Sequence, residues 1–275
     1  MQVDVGALSH PGKKRANNED HFLVSRFQRT METLLTNLPE GTIPERHVDT
    51  AHGMLVADGM GGAAAGEVAS RTAIRTLVEL ALQTPDWIMR LDEKHAPQAL
   101  ERMKQRIQQL QDVLIEAARS DPKLTGMGTT MTLALSLGKN LLITHIGDSR
   151  AYLLRQGELH RLTHDQTMVQ SLVDAGAIRP EDARRHPMRH VLTGVITTKA
   201  GTIPVELHHV PLADGDEILL CTDGLTDMLG DAEIAETLRA DKSAEETCRV
   251  LVDRALDAGG KDNVTVAVAK YRFEA

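Results

Sequence analysis

The 275-residue sequence predicts an α+β fold built in layers, not a doubly wound parallel sheet. Three observations carry that expectation. Strand-like runs follow one another through connections too short for a crossover, so the strands are antiparallel neighbours. Long amphipathic helices stand in separate blocks instead of alternating with strands. Hydrophobic residues make up 41% of the chain but aromatics only 2%, so the core must be assembled from Leu, Val, Ile, Ala and Met.

Taken in order, "MQVDVGALSH" opens the chain without the basic and apolar regions of a secretion signal. "RANNEDHFLV" then sets Glu19 and Asp20 just before an apolar run. Residues 28–50, "QRTMETLLTNLPEGTIPERHVDT", form the longest polar, strand-poor connection and contain Pro39 and Pro44, which reads as a surface insertion between two strands. "MLVADGMGGAAAGEVAS" (54–70) runs from an apolar strand through Asp58 into a glycine-rich turn and a helix. In 66–82, Ala69, Ala73, Leu77 and Ala81 share one stripe; in 98–119, Leu100, Met103, Ile107, Leu110 and Leu114 recur at three- and four-residue spacing. Both patterns predict core-facing helices.

"TTMTLALSL" (129–137), "LLITHIG" (141–147) and "AYLLR" (151–155) follow in quick succession, and "RQGELHRLT" predicts a further hairpin around Gly157. "DEILLCTDG" (216–224) and "DNVTVAVAKY" (262–271) complete the strands. Before the last of them, "SAEE" at 243–246 has the form of a capping box, opening a helix that should end near Gly259 and Gly260.

The bulk properties narrow the function. A formal charge of −8 gives no electrostatic reason to expect nucleic acid or an anionic membrane as partner. Cys221 and Cys248 do not make a disulfide framework, and no apolar stretch approaches the length of a membrane span, so a cytoplasmic, reducing setting is expected.

The acids are placed in a pattern. Asp58 ends the strand "MLVA", Asp148 follows "LLITHIG", Asp223 follows "ILLCT", and Asp262 precedes "NVTVAVAKY". If the last strand runs antiparallel to the others, all four carboxylates reach one edge of the sheets, joined by Glu19 and Asp20. A DG pair alone is a common turn, but five such sites at strand ends in one chain point to a cluster. Converging carboxylates repel one another unless cations bind. With no His or Cys sharing the pattern, the oxygen donors suit Mg²⁺ or Mn²⁺ rather than zinc.

Rival readings are weaker. Gly59-Met60-Gly61-Gly62-Ala63-Ala64 satisfies a dinucleotide fingerprint, but Asp58 would repel a pyrophosphate, and the second strand with its terminal acid is missing. Cys248 and Arg254 have the spacing of cysteine-dependent phosphatases but lie inside an amphipathic helix with no anion-binding loop. His164-Asp165 reads as a loop feature, and Asp227 as a helix or turn residue of little consequence.

In sequence order, "RANNED", "VADGMGG", "GMGTT", "IGDSRAYLL", "LTHDQ", "HPMRHVLT", "CTDGLTD" and "GKDNVTV" resemble the successive signatures of the metal-dependent (type 2C, PPM) protein serine/threonine phosphatases, and of their bacterial stand-alone branch in particular. They span residues 15 to 266. The resemblance implies one catalytic domain over the whole chain: a four-layer αββα sandwich, with a central antiparallel β-sandwich flanked by helix pairs and a two-metal Mn²⁺ or Mg²⁺ site at one end. Asp58 would bridge the metals, with the Gly59 carbonyl, Asp223 and Asp262 as further ligands. Glu19 and Asp20 would contact metal-held waters, and Asp148 with Asp223 would bind a weaker third ion. Arg15 resembles the arginine that grips the substrate phosphate. Residues 165–200 resemble the family's flap beside the site, and its Arg179, Arg184, Arg185 and Arg189 are open to two readings: contact with a phosphoprotein, or a solvated charged face. The expected partners are phosphorylated proteins, substrates of a Ser/Thr kinase, and the chain is expected to be a monomer. Where some relatives carry His after the DG pair as a candidate general acid, this sequence has Met60. The resemblance assigns no role to 28–50.

Overall fold

In chain order the strands are β1 (Gln2–His10), β2 (Asp20–Glu32), β3 (Arg46–Met60), β4 (Gly128–Thr129), β5 (Met131–Leu137), β6 (Asn140–Ile146), β7 (Arg150–Arg155), β8 (Glu158–Arg161), β9 (Ile196–Thr197), β10 (Glu206–Pro211), β11 (Glu217–Cys221) and β12 (Val264–Arg272). The helices are α1 (Ala65–Gln83), α2 (Ala96–Ser120), α3 (Met168–Asp174), α4 (Pro180–Ala183), α5 (Asp223–Thr226), α6 (Asp231–Arg239) and α7 (Ala244–Asp257). This computed structural model describes residues 1–61, 65–83 and 96–273, without the side chains of Ala96, Ala99 and Leu100. The turn residues Gly62, Ala63 and Ala64 and the Leu100 position of the helical stripe therefore lie outside the described residues.

The strands form two sheets, ordered β1-β12-β11-β7-β8 and β10-β6-β5-β3-β4-β9, with β2 added along β3. Every pairing between the named strands is antiparallel. The two sheets close on a shared apolar layer in which Met54, Val56 and Ile143 meet Leu153, Ile218 and Leu220. On one outer face α1 and α2 bury Ala69, Ala73, Ile107 and Leu110 against Leu55, Ala57 and Met131. On the other, α6 and α7 bury Ile234, Leu238, Leu251 and Val252 against Tyr152, Leu219 and Val266. Val264 through Tyr271 is buried at every position because β12 carries the sandwich core on one face and helices on the other. The expected four layers are present.

The local signals account for the ends of elements. Ser243 Oγ accepts from the Glu246 amide while the Glu246 carboxylate accepts from the Ser243 amide, which closes the capping box of α7. Gln156 and Gly157, both with positive φ, turn the β7–β8 hairpin.

The strand-poor reading of 28–50 is corrected. β2 and β3 pair without interruption from Asp20↔Asp58 to Glu32↔Arg46, so only 33–45 lies between the strands. The pairing extends past β5, whose partners in β3 are Ala51 to Val56. Residues 28–32 are exposed on both faces, so no alternation of apolar and polar residues marks them as strand. Cross-strand polar contacts hold this extension instead: Arg29 donates to Asp49 and the Thr33 amide to the Glu45 carbonyl.

Candidate metal centre

At one end of the sandwich, five chain segments deliver acids to one cavity of about 350 Å³. Asp58 arrives near the end of β3, Asp148 just after β6, Asp223 at the start of α5, and Asp262 just before β12. Because β12 runs antiparallel to β11, the start of one strand lies beside the end of the other. Glu19 and Arg15 line the same cavity. Asp20 is buried beneath it, 4% exposed.

The backbone around Asp58 is fixed on both sides. Its amide donates to Thr130 Oγ1 at 3.0 Å, and its carbonyl accepts from the Thr130 amide and from Thr129 Oγ1, each at 2.9 Å. These bonds hold the chain and leave the carboxylate for the cavity. Glu19 is tied in through its amide to Asn263 Oδ1 at 2.8 Å and through its carbonyl to Ser70 Oγ at 2.6 Å. The start of α1 crosses this point so closely that a Cβ built on Gly59 would lie 2.1 Å from the Gly66 carbonyl oxygen. One built on Gly66 would lie 2.8 Å from the Glu19 carboxyl carbon and from the Gly59 oxygen.

The electrostatics show strain among the acids. Burial, then the neighbouring Asp20 and Asp223, push the Asp58 carboxyl well above the usual aspartate range. Burial and Asp223 do the same to Asp148. Burial lifts Asp20 to about 7, although Thr222 Oγ1 donates to its Oδ2 at 2.8 Å. The other oxygen, Oδ1, is buried with no hydrogen-bond partner. Arg15 is the cation that reaches this end, 2.6 Å from Asp262. An all-oxygen donor set, mutual repulsion and an orphaned carboxylate oxygen fit hard divalent cations.

One element of the sequence reading is revised here. A histidine does share the site: His190 also lines the cavity, its Nδ1 3.6 Å from Asp223 and its Nε2 3.6 Å from Asp227. The three side chains bring one donor atom each within 4.8 Å. The neighbouring Asp223 carboxylate, and then Asp227, raise the His190 pKa. Asp227, expected to be a helix or turn residue, does cap α5, and it also lies near His190, its own carboxyl raised by burial and by Asp223. The signal for His190 lay in "HPMRHVLT", but nothing local says that the segment folds back over the acids.

The segment 165–200 is anchored at its base. Arg150 holds Asp165 through two hydrogen bonds of 2.9 and 2.6 Å, and His164 pairs with Asp174 at 2.8 Å, so this pair is a loop anchor as read. A second cavity of about 370 Å³ shares Asp148, His190 and Asp223 with the first and is also lined by Arg184 and Arg189. Arg179 is spent on Asp182 and Glu181. Met60, exposed at 41%, lines the acid cavity.

The rivals fail on geometry. Among the described residues, no parallel strand pairs with β3 to build a dinucleotide crossover. Cys248 is buried inside α7, while Arg254 contacts Glu236 and Thr237.

Comparison with known proteins agrees with this arrangement. The pattern of the protein phosphatase 2C family matches residues 45–259. The chain belongs to that family. It is 34% identical over 275 residues to the protein phosphatase PhpP of Streptococcus pneumoniae, covering 99% of both chains. It is 41% identical over 216 residues to the serine/threonine protein phosphatase PstP of Mycobacterium tuberculosis. That match takes in 78% of this chain but only 40% of the length of PstP. A crystal structure of the PstP catalytic domain in complex with two manganese ions superposes with a TM-score of 0.77 at 34% identity, covering 98% of this chain and 99% of that one.

Proposed function

We infer that this member of the 2C family is a metal-dependent protein serine/threonine phosphatase, which hydrolyses phosphoserine and phosphothreonine in proteins. One observation carries the reading: acids from five separate chain segments line a single cavity beside one arginine, at a cost in mutual repulsion that bound cations offset while the carboxylates stay ionised. Asp58, the Gly59 carbonyl, Asp223 and Asp262 would hold a pair of Mn²⁺ or Mg²⁺ ions, with Glu19 and Asp20 in supporting contact. Bound there, divalent cations supply charge neutralisation for a phosphoryl group and lower the pKa of water to make a nucleophile at neutral pH.

The chain's own groups do the rest. Arg15, held by Asp262 at the rim, offers a guanidinium to two phosphoryl oxygens. Thr129 and Thr130 fix the backbone of Asp58, so the base of its side chain is held in place while the carboxylate stays free for a cation. Cys221 and Cys248 are buried, and burial lifts both thiols to about 12, so neither is a nucleophile. Arg184 and Arg189, across the adjoining cavity, face the path of a phosphoprotein backbone or side chain. Among the described residues no helix is long and apolar enough to cross a membrane, and two free buried thiols suit a cytoplasmic protein.

The test is hydrolysis of a phosphothreonine peptide by the purified chain with Mn²⁺, with Mg²⁺ and with EDTA. Turnover that depends on the cation and returns after EDTA is removed supports the reading. Turnover that persists in EDTA overturns it.

A further inference from the structure

The extension of β2 and β3 has no role in the chemistry above, yet it exposes what folded chains ordinarily cover. Leu34 and Leu35 are 82% and 95% exposed at its tip, and Met31, Leu38, Ile43 and Val48 are exposed beside them. Exposed apolar residues gathered in this way mark an interaction site.

The adjoining strand edge shows what kind. β2 pairs with β3 on one side only. The Gly59 amide donates to the Glu19 carbonyl, and the Thr33 amide to the Glu45 carbonyl. These bonds set the parity: odd-numbered residues of β2 direct their backbone groups at β3, and even-numbered ones direct theirs outward. Among the described residues, no hydrogen bond reaches the backbone of Phe22, Val24, Arg26, Gln28, Thr30 or Glu32 from outside. Among the described residues, β2 contains no proline, its register with β3 contains no bulge, and no strand pairs with its outer edge; the edge carries charges, Arg26 and Glu32 among them.

We propose that β2 pairs antiparallel with β2 of a second copy of this chain, about a two-fold axis at Arg29. That register satisfies both backbone and side chains. Even residues meet even residues, so Gln28 exchanges hydrogen bonds with Thr30 of the other copy, and Arg26 with Glu32. The same pairing sets the Arg26 guanidinium against the Glu32 carboxylate twice over. Neither residue has an ion-pair partner among the described residues of its own chain. It also brings Leu34 of each copy opposite Val24 of the other, beside the exposed Phe22. The two Arg29 residues meet at the axis, each already neutralised by its own Asp49. A shift by two residues loses the Arg26–Glu32 match, so the charges favour this register over its neighbours. This proposal departs from the monomer expected from the sequence.

Sedimentation equilibrium on the full chain tests this. The wild-type chain should dimerise. Thr30→Pro, which removes an outward amide and no bond to β3, should weaken association about tenfold or more. Glu32→Arg should weaken it similarly by opposing two arginines. The double variant Arg26→Glu/Glu32→Arg should restore it, because the swapped charges meet again. In the wild type, amide exchange at Gln28 and Thr30 should slow as concentration rises. Thermal melting serves as the folding control for each variant. A wild-type chain that stays monomeric, a dimer indifferent to Thr30→Pro, or a double variant no better than Glu32→Arg would each overturn the proposal.

Discussion

Asp20 and Asp58 stand directly opposite one another in the β2–β3 ladder, two carboxylates in register on one face of the sheet. Like charges so placed destabilise a strand pair, and here neither faces open solvent alone.

The first expectation is a pH-dependent stability in the absence of metal. Both carboxyls titrate above the ordinary aspartate value in the folded chain, Asp20 at about 7. A raised carboxyl contributes stability that is complete below its unfolded pKa and is lost as pH rises through its folded one. In EDTA the melting temperature should therefore fall between about pH 5 and about pH 8. Saturating Mn²⁺ should flatten that slope and raise the whole curve. Calorimetric melting across the range, with and without the ion, reads both.

Asp58→Asn should separate stability from activity. It removes one of two opposed charges, so the metal-free variant should melt above the wild type. It also removes the carboxylate proposed as the central donor, so phosphopeptide hydrolysis should drop by about a hundredfold or more, and Mn²⁺ should no longer raise its melting temperature. A variant less stable in EDTA would contradict the repulsion described for this pair.

Asp227→Asn should act through His190. Asp223 and Asp227 both raise the imidazole pKa, so neutralising Asp227 should lower it. Histidine C–H shifts followed by NMR through the titration measure the change directly. An unchanged pKa would mean that the 3.6 Å contact carries no electrostatic weight.

Asp148→Ala distinguishes a turn residue from a cation donor. A turn residue would cost about 1 kcal/mol of stability and preserve turnover. A donor at a third, weaker site would reduce phosphopeptide turnover while two ions still bind. Because burial and Asp223 already penalise the Asp148 charge, the second outcome is expected, with stability in EDTA unchanged or increased. Calorimetric ion counting beside kinetics decides it.

Iodoacetamide should leave the native chain unmodified. Cys221 and Cys248 are 0% and 1% exposed, and burial holds both thiols at about 12. Mass spectrometry should show labelling only after unfolding, with turnover constant until then.

The acids were legible because each carries its own local context. An apolar run that stops at Asp-Gly marks a strand end wherever the strand lies, and antiparallel order then puts Asp223 and Asp262 together. The helical stripes were equally self-contained: Ile107, Leu110 and Leu114 are buried as their spacing requires. His190 was not legible, since its contact with Asp223 depends on how 165–200 folds back, held by the distant Arg150–Asp165 pair. The outer half of the β2–β3 ladder escaped for the opposite reason. Residues 28–32 are exposed on both faces and so lack the burial pattern by which strands are read.

Gly59 and Gly66 carry no side-chain chemistry, yet backbone passes backbone there with no room for a methyl group on either. In a saturation library scored for phosphate release, both positions should tolerate nothing but glycine, as intolerant as Asp58 itself. Their dropout would be mutual, because neither replacement relieves the clash made by the other. Such a map would mark the crossing of α1 over β3 as part of the active centre, although neither glycine offers a titratable group.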